Sequence, residues 1–281
     1  MKTLRIGCVK YLNARPLIHG WPGRVDFDHP SALCKRLANG ELDVALVSSF
    51  EFLRNPIYRI VDDVSISCDG PVYSVVVAHR CDISEIEEIE LDPASQTAVN
   101  LLRCLLAELR LNPRLGSAPK AFGAVVGSPP QDGFAVANLP TAHSARLLIG
   151  DQAIRFRHDH TGGFQFWDLG EQWQKLVGLP FVYALWLIRP EVADAKEIAD
   201  RLRALRDENL ANLDELIAEV VAGIGDPRQR KEFTPQFCRR YYREYLRFSF
   251  GEKEKTGLRN FAKLCAERDL LPTRDLELNV V

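Results

Sequence analysis

Short apolar runs alternate with amphipathic stretches at the start of the chain, and this alternation limits the fold more than any other feature. Residues 4–9, 25–29 and 43–49 are predicted strands, because each apolar run is bounded by polar or turn residues. Ser31 opens a predicted helix between the second and third runs, and Gly40 ends it. A strand–helix–strand order of this kind is typical of a parallel sheet with helices on its faces, which places the chain in the α/β class.

The same pattern starts again further along, and a helical tail follows it. Later strands are predicted at 58–67, 72–79, 89–92, 133–138, 153–156 and 181–188. Helices are predicted after Ser95, at about 143–149, and over 191–222, 234–249 and 254–268. No linker rich in Gly, Ser or Pro separates the two sets, so we expect two lobes in close contact rather than independent domains.

The simplest arrangement has one lobe made by both chain ends and a second lobe inserted between them. We expect residues 1–88 and 183–281, including the helical tail, in the first lobe and residues 89–182 in the second. Two crossings would join the lobes, near residues 80–92 and 178–184. Ligands of open α/β sheets bind beyond the carboxyl ends of the strands, so a ligand cleft is predicted between the lobes.

Charge and hydropathy exclude several kinds of partner. The 281-residue chain has a formal net charge of −2, so no global positive field attracts nucleic acid. Its start lacks the apolar core of a signal peptide, and the apolar stretch 179–188 is interrupted by Pro180 and is too short to span a bilayer. We therefore expect a cytoplasmic protein with a small-molecule substrate and no membrane partner. The sequence does not set an oligomeric state.

Metal and cofactor motifs are missing from the sequence. The seven cysteines are scattered without C-x-x-C spacing, and the six histidines form no H-E-x-x-H pattern. His158-Asp159-His160 could begin a metal site, but no third ligand is near in sequence, and a polar surface loop is the simpler interpretation. The chain has no G-x-G-x-x-G, P-loop or G-x-S-x-G motif, which disfavours nucleotide cofactors and α/β-hydrolase chemistry. We expect no metal and no cofactor.

Polar residues follow the strands that should end at the cleft. They are Tyr11, Asn13 and Arg15 after the first strand, Ser48 and Ser49 after the third, and Ser95, Gln96 and Thr97 at the start of the long helix. Free amides at helix starts attract anions, so one such start on each lobe would clamp a ligand with two carboxylates. Each feature also has a purely structural interpretation: Asn13 as a turn residue, Ser48 with Glu51 as a capping box, and Ser95 as a helix cap.

Two further polar residues lie at less obvious positions. Ser74 is a small polar residue inside the apolar strand 72–79, where its hydroxyl needs either a backbone partner or a ligand. Asp151 follows Gly150 between two apolar segments, where an aspartate is usually a turn residue. Both are candidates for the cleft.

Several segments, in the same order along the chain, resemble the chorismate dehydratase family of menaquinone biosynthesis. The resembling segments are YLNARPL at 11–17, LDVALVSSFE at 42–51, GPVYSV at 70–75, LDPASQT at 91–97, LIGDQA at 148–153, DLGEQW at 168–173 and GLPFVYALW at 178–186. The sequence departs from the family pattern at Gln96 and Ala98, where Arg and Ser are common, and at Val177, where Thr is common. Each departure removes a polar group that we expect near the cleft.

The resemblance implies a two-lobed fold of the periplasmic-binding-protein type II kind, with the ligand between the lobes. It implies that water is lost from chorismate to give 3-[(1-carboxyvinyl)oxy]benzoate on the futalosine route, a hydro-lyase reaction without a metal or an organic cofactor. Asn13 and Ser74 stand where the family's proposed active-site residues stand. Tyr11, Arg15, Asp151 and the two helix starts would then bind the substrate.

Two other functions stay open at this stage. The dihydroxynaphthoate synthase of the same pathway shares the fold, but its opening motif S-P-C-P-N-D differs from YLNARPL at 11–17. A cytosolic binding protein or sensor for a small aromatic or carboxylic acid would bind its ligand without turnover. A thermal shift with chorismate and no product would favour that function.

Overall fold

Ten strands form two mixed sheets in the computed structural model, which describes residues 4–92, 95–117, 142–224 and 231–281. The first sheet has the order β2-β1-β3-β10-β4 and contains β1 Ile6–Cys8, β2 Val25–Phe27, β3 Val44–Ser48, β4 Arg59–Cys68 and β10 Phe181–Ile188. The second has the order β7-β6-β8-β5-β9 and contains β5 Val75–His79, β6 Glu88–Leu91, β7 Arg114–Ser117, β8 Ser144–Ile149 and β9 Gln165–Asp168. The predicted strand at 133–138 lies outside the described residues.

Each sheet combines parallel strands with one antiparallel strand that arrives from the other sheet. In the first sheet β1 runs parallel to β2 and β3, and β10 pairs antiparallel with β3 and β4. In the second sheet β6 runs parallel to β7 and β8, and β5 pairs antiparallel with β8 and β9. The end of β3 therefore lies beside the start of β10, and the end of β8 lies beside the start of β5.

Helices follow most of the strands and form the tail. They are α1 Arg15–Ile18, α2 Pro30–Ala38, α3 Ser49–Arg54, α4 Gln96–Glu108, α5 Gly150–Asp159, α6 Leu169–Val177, α7 Ala195–Ala211, α8 Leu213–Ala222, α9 Pro235–Arg240 and α10 Glu252–Ala266. A 3₁₀ turn, Leu12–Ala14, precedes α1, and a π-helical turn, Tyr241–Tyr245, follows α9. The two-lobed α/β architecture with C-terminal helices is confirmed. No helix in the described ranges is both long and apolar enough to cross a membrane.

The chain passes between the sheets at residues 69–74 and again between β9 and β10. The first passage lies earlier than the predicted crossing at 80–92, and β5, which the boundary at 88 would place in the first lobe, pairs in the second sheet. The apolar pattern of 72–79 correctly predicts a strand, but a buried strand carries no signal of which sheet it joins.

The secondary structure predicted for two neighbouring segments is wrong: each adopts the type that was predicted for the other. The segment predicted as a helix at 143–149 contains β8, and the segment predicted as a strand at 153–156 lies inside α5. Pairing of β8 with β5 on one side and β6 on the other outweighs its weak strand propensity. In α5, the buried residues Ala153, Ile154 and Phe156 cluster on one helical face, a spacing that a short apolar run does not distinguish from a strand.

The tail packs on both sheets. Helix α7 packs against α1 and β4, and Asn209 Nδ2 donates to the carbonyl oxygens of Pro16 at 3.0 Å and His19 at 2.9 Å. Helix α10 packs against β10 and α4. The tail therefore supports the first sheet directly and reaches the second through α4.

Candidate functional site

The turn after β1 meets the start of α5 from the other sheet. Leu12 N donates to Asp151 Oδ1 at 2.8 Å. Asn13, the next residue, has a buried Oδ1 with no hydrogen-bond partner among the described residues. Buried polar atoms are nearly always bonded, so an unbonded side-chain oxygen in a cleft between two lobes is a candidate ligand contact.

Gly150 allows this close approach. Its φ is +56°, and a Cβ there would lie 3.1 Å from atoms of the Tyr11 ring. Gly150 N also donates to the carbonyl oxygen of Ser74 at 2.8 Å. A glycine at the start of α5 thus brings Tyr11, Ser74 and Asp151 together.

Two tyrosines of the tail complete the contacts. Tyr241 OH donates to Ser74 Oγ at 2.6 Å, and Tyr242 OH donates to the carbonyl oxygen of Leu12 at 2.9 Å. Ser74 and both tyrosines are buried. With the bonds from Leu12 N to Asp151 and from Gly150 N to Ser74, these four hydrogen bonds connect the first sheet, the second sheet and the tail. We call this set the four-bond circuit.

Burial raises the pKa values of acidic groups in and beside the circuit. Loss of hydration raises the pKa of Asp151 to about 6, against the opposing effects of Leu12 N and of the Arg155 and Arg15 charges. Burial also raises the pKa of Tyr11, and the charges of Asp92 and Asp151 add to that shift. At neutral pH the site therefore holds a half-buried carboxylate that is largely ionised, beside a protonated phenol.

Asp168 holds the first crossing in place next to Ser74. Its carboxylate accepts from Val72 N at 3.0 Å and Tyr73 N at 2.8 Å, and it also caps α6 through Gly170 N at 3.0 Å. Burial raises the pKa of this carboxyl, opposed by the backbone amides that it accepts from. Arg157 lies 3.9 Å from the centre of the Tyr73 ring and donates to the Tyr73 carbonyl oxygen at 2.9 Å. The backbone that carries Ser74 is thus fixed from two sides.

The starts of α3 and α4 face each other across the sheets. Thr97 Oγ1 bonds to Ser48 Oγ and, at 3.3 Å, to Ser49 Oγ, and it accepts from Phe50 N at 3.2 Å. Ser49 Oγ donates to the Val182 carbonyl oxygen at 2.7 Å. These hydroxyls are buried and bond to one another or to backbone, so this region joins the lobes directly.

This geometry corrects the predicted capping box. Ser48 makes no side-chain capping bond, and Glu51 forms an ion pair with Arg54 instead of returning to the helix start. The cap comes from Thr97 of the opposite lobe. A sequence motif cannot show a cap that is supplied by a residue almost fifty positions away, as Thr97 is here.

Ser95 caps α4, as its structural interpretation predicts. Its hydroxyl accepts from Ala98 N at 3.2 Å. Gln96, the first residue of the helix, has a buried Oε1 without a hydrogen-bond partner among the described residues. Val177, by contrast, ends α6, about 12 Å of helix away from the Asp168 cap at its start.

A cavity of about 240 Å³ opens beside the four-bond circuit. Lys10, Arg15 and His19 supply its basic groups, and Asp151 and Glu219 its acidic ones. His19 Nε2 lies 3.0 Å from a Glu219 carboxylate oxygen. The cavity places Arg15, a predicted binding residue, on the same side as Asp151.

The predicted site residues fall into two adjoining groups. Tyr11, Asn13, Arg15, Ser74 and Asp151 surround the four-bond circuit or its cavity. The remaining ones, Ser48, Ser49, Ser95, Gln96 and Thr97, lie at the two facing helix starts.

Sequence reasoning missed four residues that build the site, Arg157, Asp168, Tyr241 and Tyr242. The sequence DLGE at 168–171 carried a usable signal, an aspartate at a helix start. The adjacent tyrosines of the tail carried none, because only folding brings them to residues more than 160 positions away.

The structure also brings a third residue to the pair His158 and Asp159. Glu232, from the segment before α9, has a carboxylate oxygen within 4.8 Å of their ligand atoms. The sequence offered no such neighbour. His158 and Asp159 are exposed at the end of α5.

Comparison with known proteins gives consistent results across most of the chain. Residues 4–267 match the family model described as menaquinone biosynthesis. The chain is 29% identical over 283 residues to the chorismate dehydratase of Thermus thermophilus, covering 94% of this chain and 95% of that protein. It is 23% identical over 262 residues to the chorismate dehydratase of Campylobacter jejuni, covering 92% of each.

A solved structure shows the same fold. A Candida albicans gene product, described as exhibiting the generic periplasmic binding protein structural fold, aligns with a TM-score of 0.64 at 12% identity. The alignment covers 100% of this chain and 96% of that one. At this identity the likeness concerns the fold, which is two-lobed and of the periplasmic-binding-protein kind.

Proposed function

This chain belongs to the menaquinone biosynthesis family, and on that premise we propose that it is a chorismate dehydratase, a hydro-lyase that converts chorismate to 3-[(1-carboxyvinyl)oxy]benzoate. The observation that carries the proposal is the match over nearly the whole chain to two proteins named for that activity. Neither of the two is named for the dihydroxynaphthoate synthase. The proposal includes the cytoplasmic location expected from the sequence.

The reaction depends more on how the protein holds the substrate than on a strongly acidic or basic side chain. A ring C–H proton and the neighbouring hydroxyl leave as water, and the ring becomes aromatic. The electrons of the broken C–H bond are delocalised through the diene towards the ring carboxylate before the hydroxyl departs. The substrate's side-chain carboxylate takes the proton and passes it to the departing hydroxyl, which leaves as water. The protein then has to hold both carboxylates and stabilise the charge that develops on one of them.

Asn13 and Ser74 are the proposed catalytic residues. Asn13 has a buried side-chain oxygen with no hydrogen-bond partner among the described residues, next to the Leu12–Asp151 bond, where it can orient the substrate hydroxyl before that group leaves. Its amide nitrogen can donate to a carboxylate in the same site. Ser74 is buried at the start of β5 and donates to a substrate carboxylate.

The other predicted residues are proposed to bind the substrate. Arg15 and Asp151 line the cavity, with Arg15 supplying positive charge for a carboxylate. The Tyr11 ring lies against Gly150 at the start of α5. Ser95 and Gln96 belong to the start of α4. The hydroxyls of Ser48, Ser49 and Thr97 bond to one another across the lobes, so their part in binding requires those bonds to rearrange when the lobes move.

Incubation of the purified protein with chorismate tests this function. We expect a product lighter by one water and aromatic by its ultraviolet spectrum, separated by liquid chromatography and identified by mass. The Asn13→Ala variant, purified in the same way, controls for a contaminating enzyme. Consumption of chorismate no faster than in buffer, by protein with the circular dichroism of a folded chain, would reject the proposal.

A further inference from the structure

The hydroxyl of Ser74 has an unusual partner. Tyr241 comes from the π-helical turn of the tail, 167 residues away in sequence, and its OH donates to Ser74 Oγ at 2.6 Å. Ser74 is 1% exposed and Tyr241 is fully buried. A buried hydrogen bond of this length between two hydroxyls fixes the orientation of both groups.

The direction of this bond determines what Ser74 can do next. A serine hydroxyl carries one hydrogen and two acceptor positions. When Ser74 Oγ accepts from Tyr241, its own hydrogen is left for another acceptor. The structure gives Ser74 Oγ no other partner among the described residues. A carboxylate, which only accepts, matches that remaining donor.

Tyr241 has a fixed ring and keeps the hydrogen that it donates to Ser74. Its ring stacks on Phe237 at 5.7 Å with 12° between the ring planes, and it also contacts the Tyr242 ring at 5.9 Å. Burial raises the pKa of Tyr241 far above its usual range, so the phenol keeps its proton at every pH of interest. π-Helical turns occur often at functional sites, where they aim a side chain that a regular helix would turn elsewhere.

We propose that Tyr241 is a positioning residue that orients the Ser74 hydroxyl so that it donates to a substrate carboxylate. This inference rests on the proposed function, because the carboxylate is that of chorismate. Tyr241 itself touches no substrate. Its effect on turnover therefore passes entirely through Ser74, and this dependence distinguishes it from a residue that only stabilises the fold.

A double-mutant cycle on kcat/KM for chorismate tests this dependence. The variants are Tyr241→Phe, Ser74→Ala and the pair together. We expect Tyr241→Phe to lower kcat/KM about 10- to 100-fold, because a free hydroxyl rotates and loses its fixed direction. In the Ser74→Ala background the same change should have almost no further effect, since the group that it orients is gone. Independent effects that multiply would overturn the inference, and so would full activity of Tyr241→Phe.

Two controls distinguish a variant that unfolds from one in which the Ser74 hydroxyl has lost its orientation. Tyr58→Phe removes the hydroxyl of a tyrosine that is as buried as Tyr241. The groups that shift the pKa of Tyr58 include Glu51 and Arg189 but not Ser74, so the kcat/KM of this variant should equal that of the wild type. Melting temperatures measured for all variants identify any that unfold. Wild-type turnover in the same assay separates the two proposals: if the wild type turns over chorismate and the effects multiply, only the role of Tyr241 fails. If the wild type is inactive, the proposed function fails and takes this inference with it.

Discussion

Asn13 and Gln96 each bury a side-chain oxygen that accepts no hydrogen bond from any described residue. In the folded protein such an atom costs about 1–3 kcal/mol, since it has lost water and gained nothing. One such atom follows β1 and the other lies at the start of α4. A ligand that donated hydrogen bonds to them would offset this cost. At the scale of single residues, we therefore expect substitutions at these positions to lower activity without lowering stability.

The Asn13→Ala variant should show that separation. We expect kcat/KM for chorismate to fall about 100-fold, because removal of one oriented polar group from a site of developing charge has effects of that size. The melting temperature should stay the same or rise, because the unbonded Oδ1 is removed. Asn39→Ala is the matched control: its exposed amide bonds to Glu41, and its loss should change neither quantity. Equal activity of Asn13→Ala and the wild type would remove Asn13 from the catalytic assignment.

The pKa of Asp151 predicts how stability depends on pH. Its folded-state pKa of about 6 lies above the usual value of 3.8, so between pH 4 and pH 6 the folded protein retains a proton that the unfolded chain has lost. This group therefore makes the protein less stable as pH rises through that window. Asp151→Asn abolishes the effect and should be more stable than the wild type by about 2–3 kcal/mol above pH 6.5, with little difference near pH 4.

Urea unfolding of both proteins across this pH range measures the difference directly. Gln152→Ala, at the neighbouring position, changes no charge and should leave the pH dependence of the wild type as it is. Curves for Asp151→Asn and the wild type that stay parallel from pH 4 to pH 7 would mean that the Asp151 carboxyl is hydrated in the folded protein.

At the scale of elements, the starts of α3 and α4 depend on each other through one hydroxyl. Thr97 Oγ1 accepts from Phe50 N and bonds to Ser48 Oγ across the lobes. Thr97→Val keeps the shape of the side chain but leaves a buried amide and a buried hydroxyl without that partner. We expect it to lower the free energy of unfolding by about 1–3 kcal/mol.

The Thr97→Ser variant should restore most of that loss, because it retains the hydroxyl and removes only a methyl group. Urea unfolding of the wild type and both variants makes the comparison. If the valine and serine variants lost the same stability, the methyl packing of Thr97, and not its hydroxyl, would be what joins α3 to α4.

Elements also show where prediction from sequence stops. The strand at the start of the chain and the cap at Ser95 follow local rules, and both could be predicted. The types of β8 and α5 could not be predicted from sequence. Segments of six to ten residues with mixed polarity do not show a clear helical or strand period. The structure of β8 is set by its pairing with β5 and β6, which are distant in sequence.

At the scale of the whole molecule, the two lobes and the polar strand ends were predictable, but the part played by the tail was not. Apolar alternation records how each segment is buried, and it carries no information on which distant segment covers it. Tyr241 reaches Ser74, and Phe261 of α10 contacts Phe50, Trp173 and Phe181 with ring centres 6.3, 6.0 and 4.9 Å away. The C-terminal helices therefore contribute both to the site and to the aromatic core beside it.

Gly257 tests how closely the tail has to dock. This glycine lies in α10, and a Cβ at its position would overlap the carbonyl oxygen of Pro180, where the chain re-enters the first sheet. Alanine favours a helix over glycine by about 1 kcal/mol, but a clash with backbone costs about 1–3 kcal/mol or more, because the strand has to move with it. We expect the two effects together to destabilise Gly257→Ala by about 1–2 kcal/mol in urea unfolding. Gly163→Ala is the control, since its nearest neighbour would be 3.8 Å away, and it should unfold like the wild type.

If Gly257→Ala were instead more stable, helix propensity would outweigh the contact with Pro180. The tail would then be free to shift relative to the crossing, and the positions of Phe261 and Tyr241 would have to be maintained by their own side-chain contacts alone.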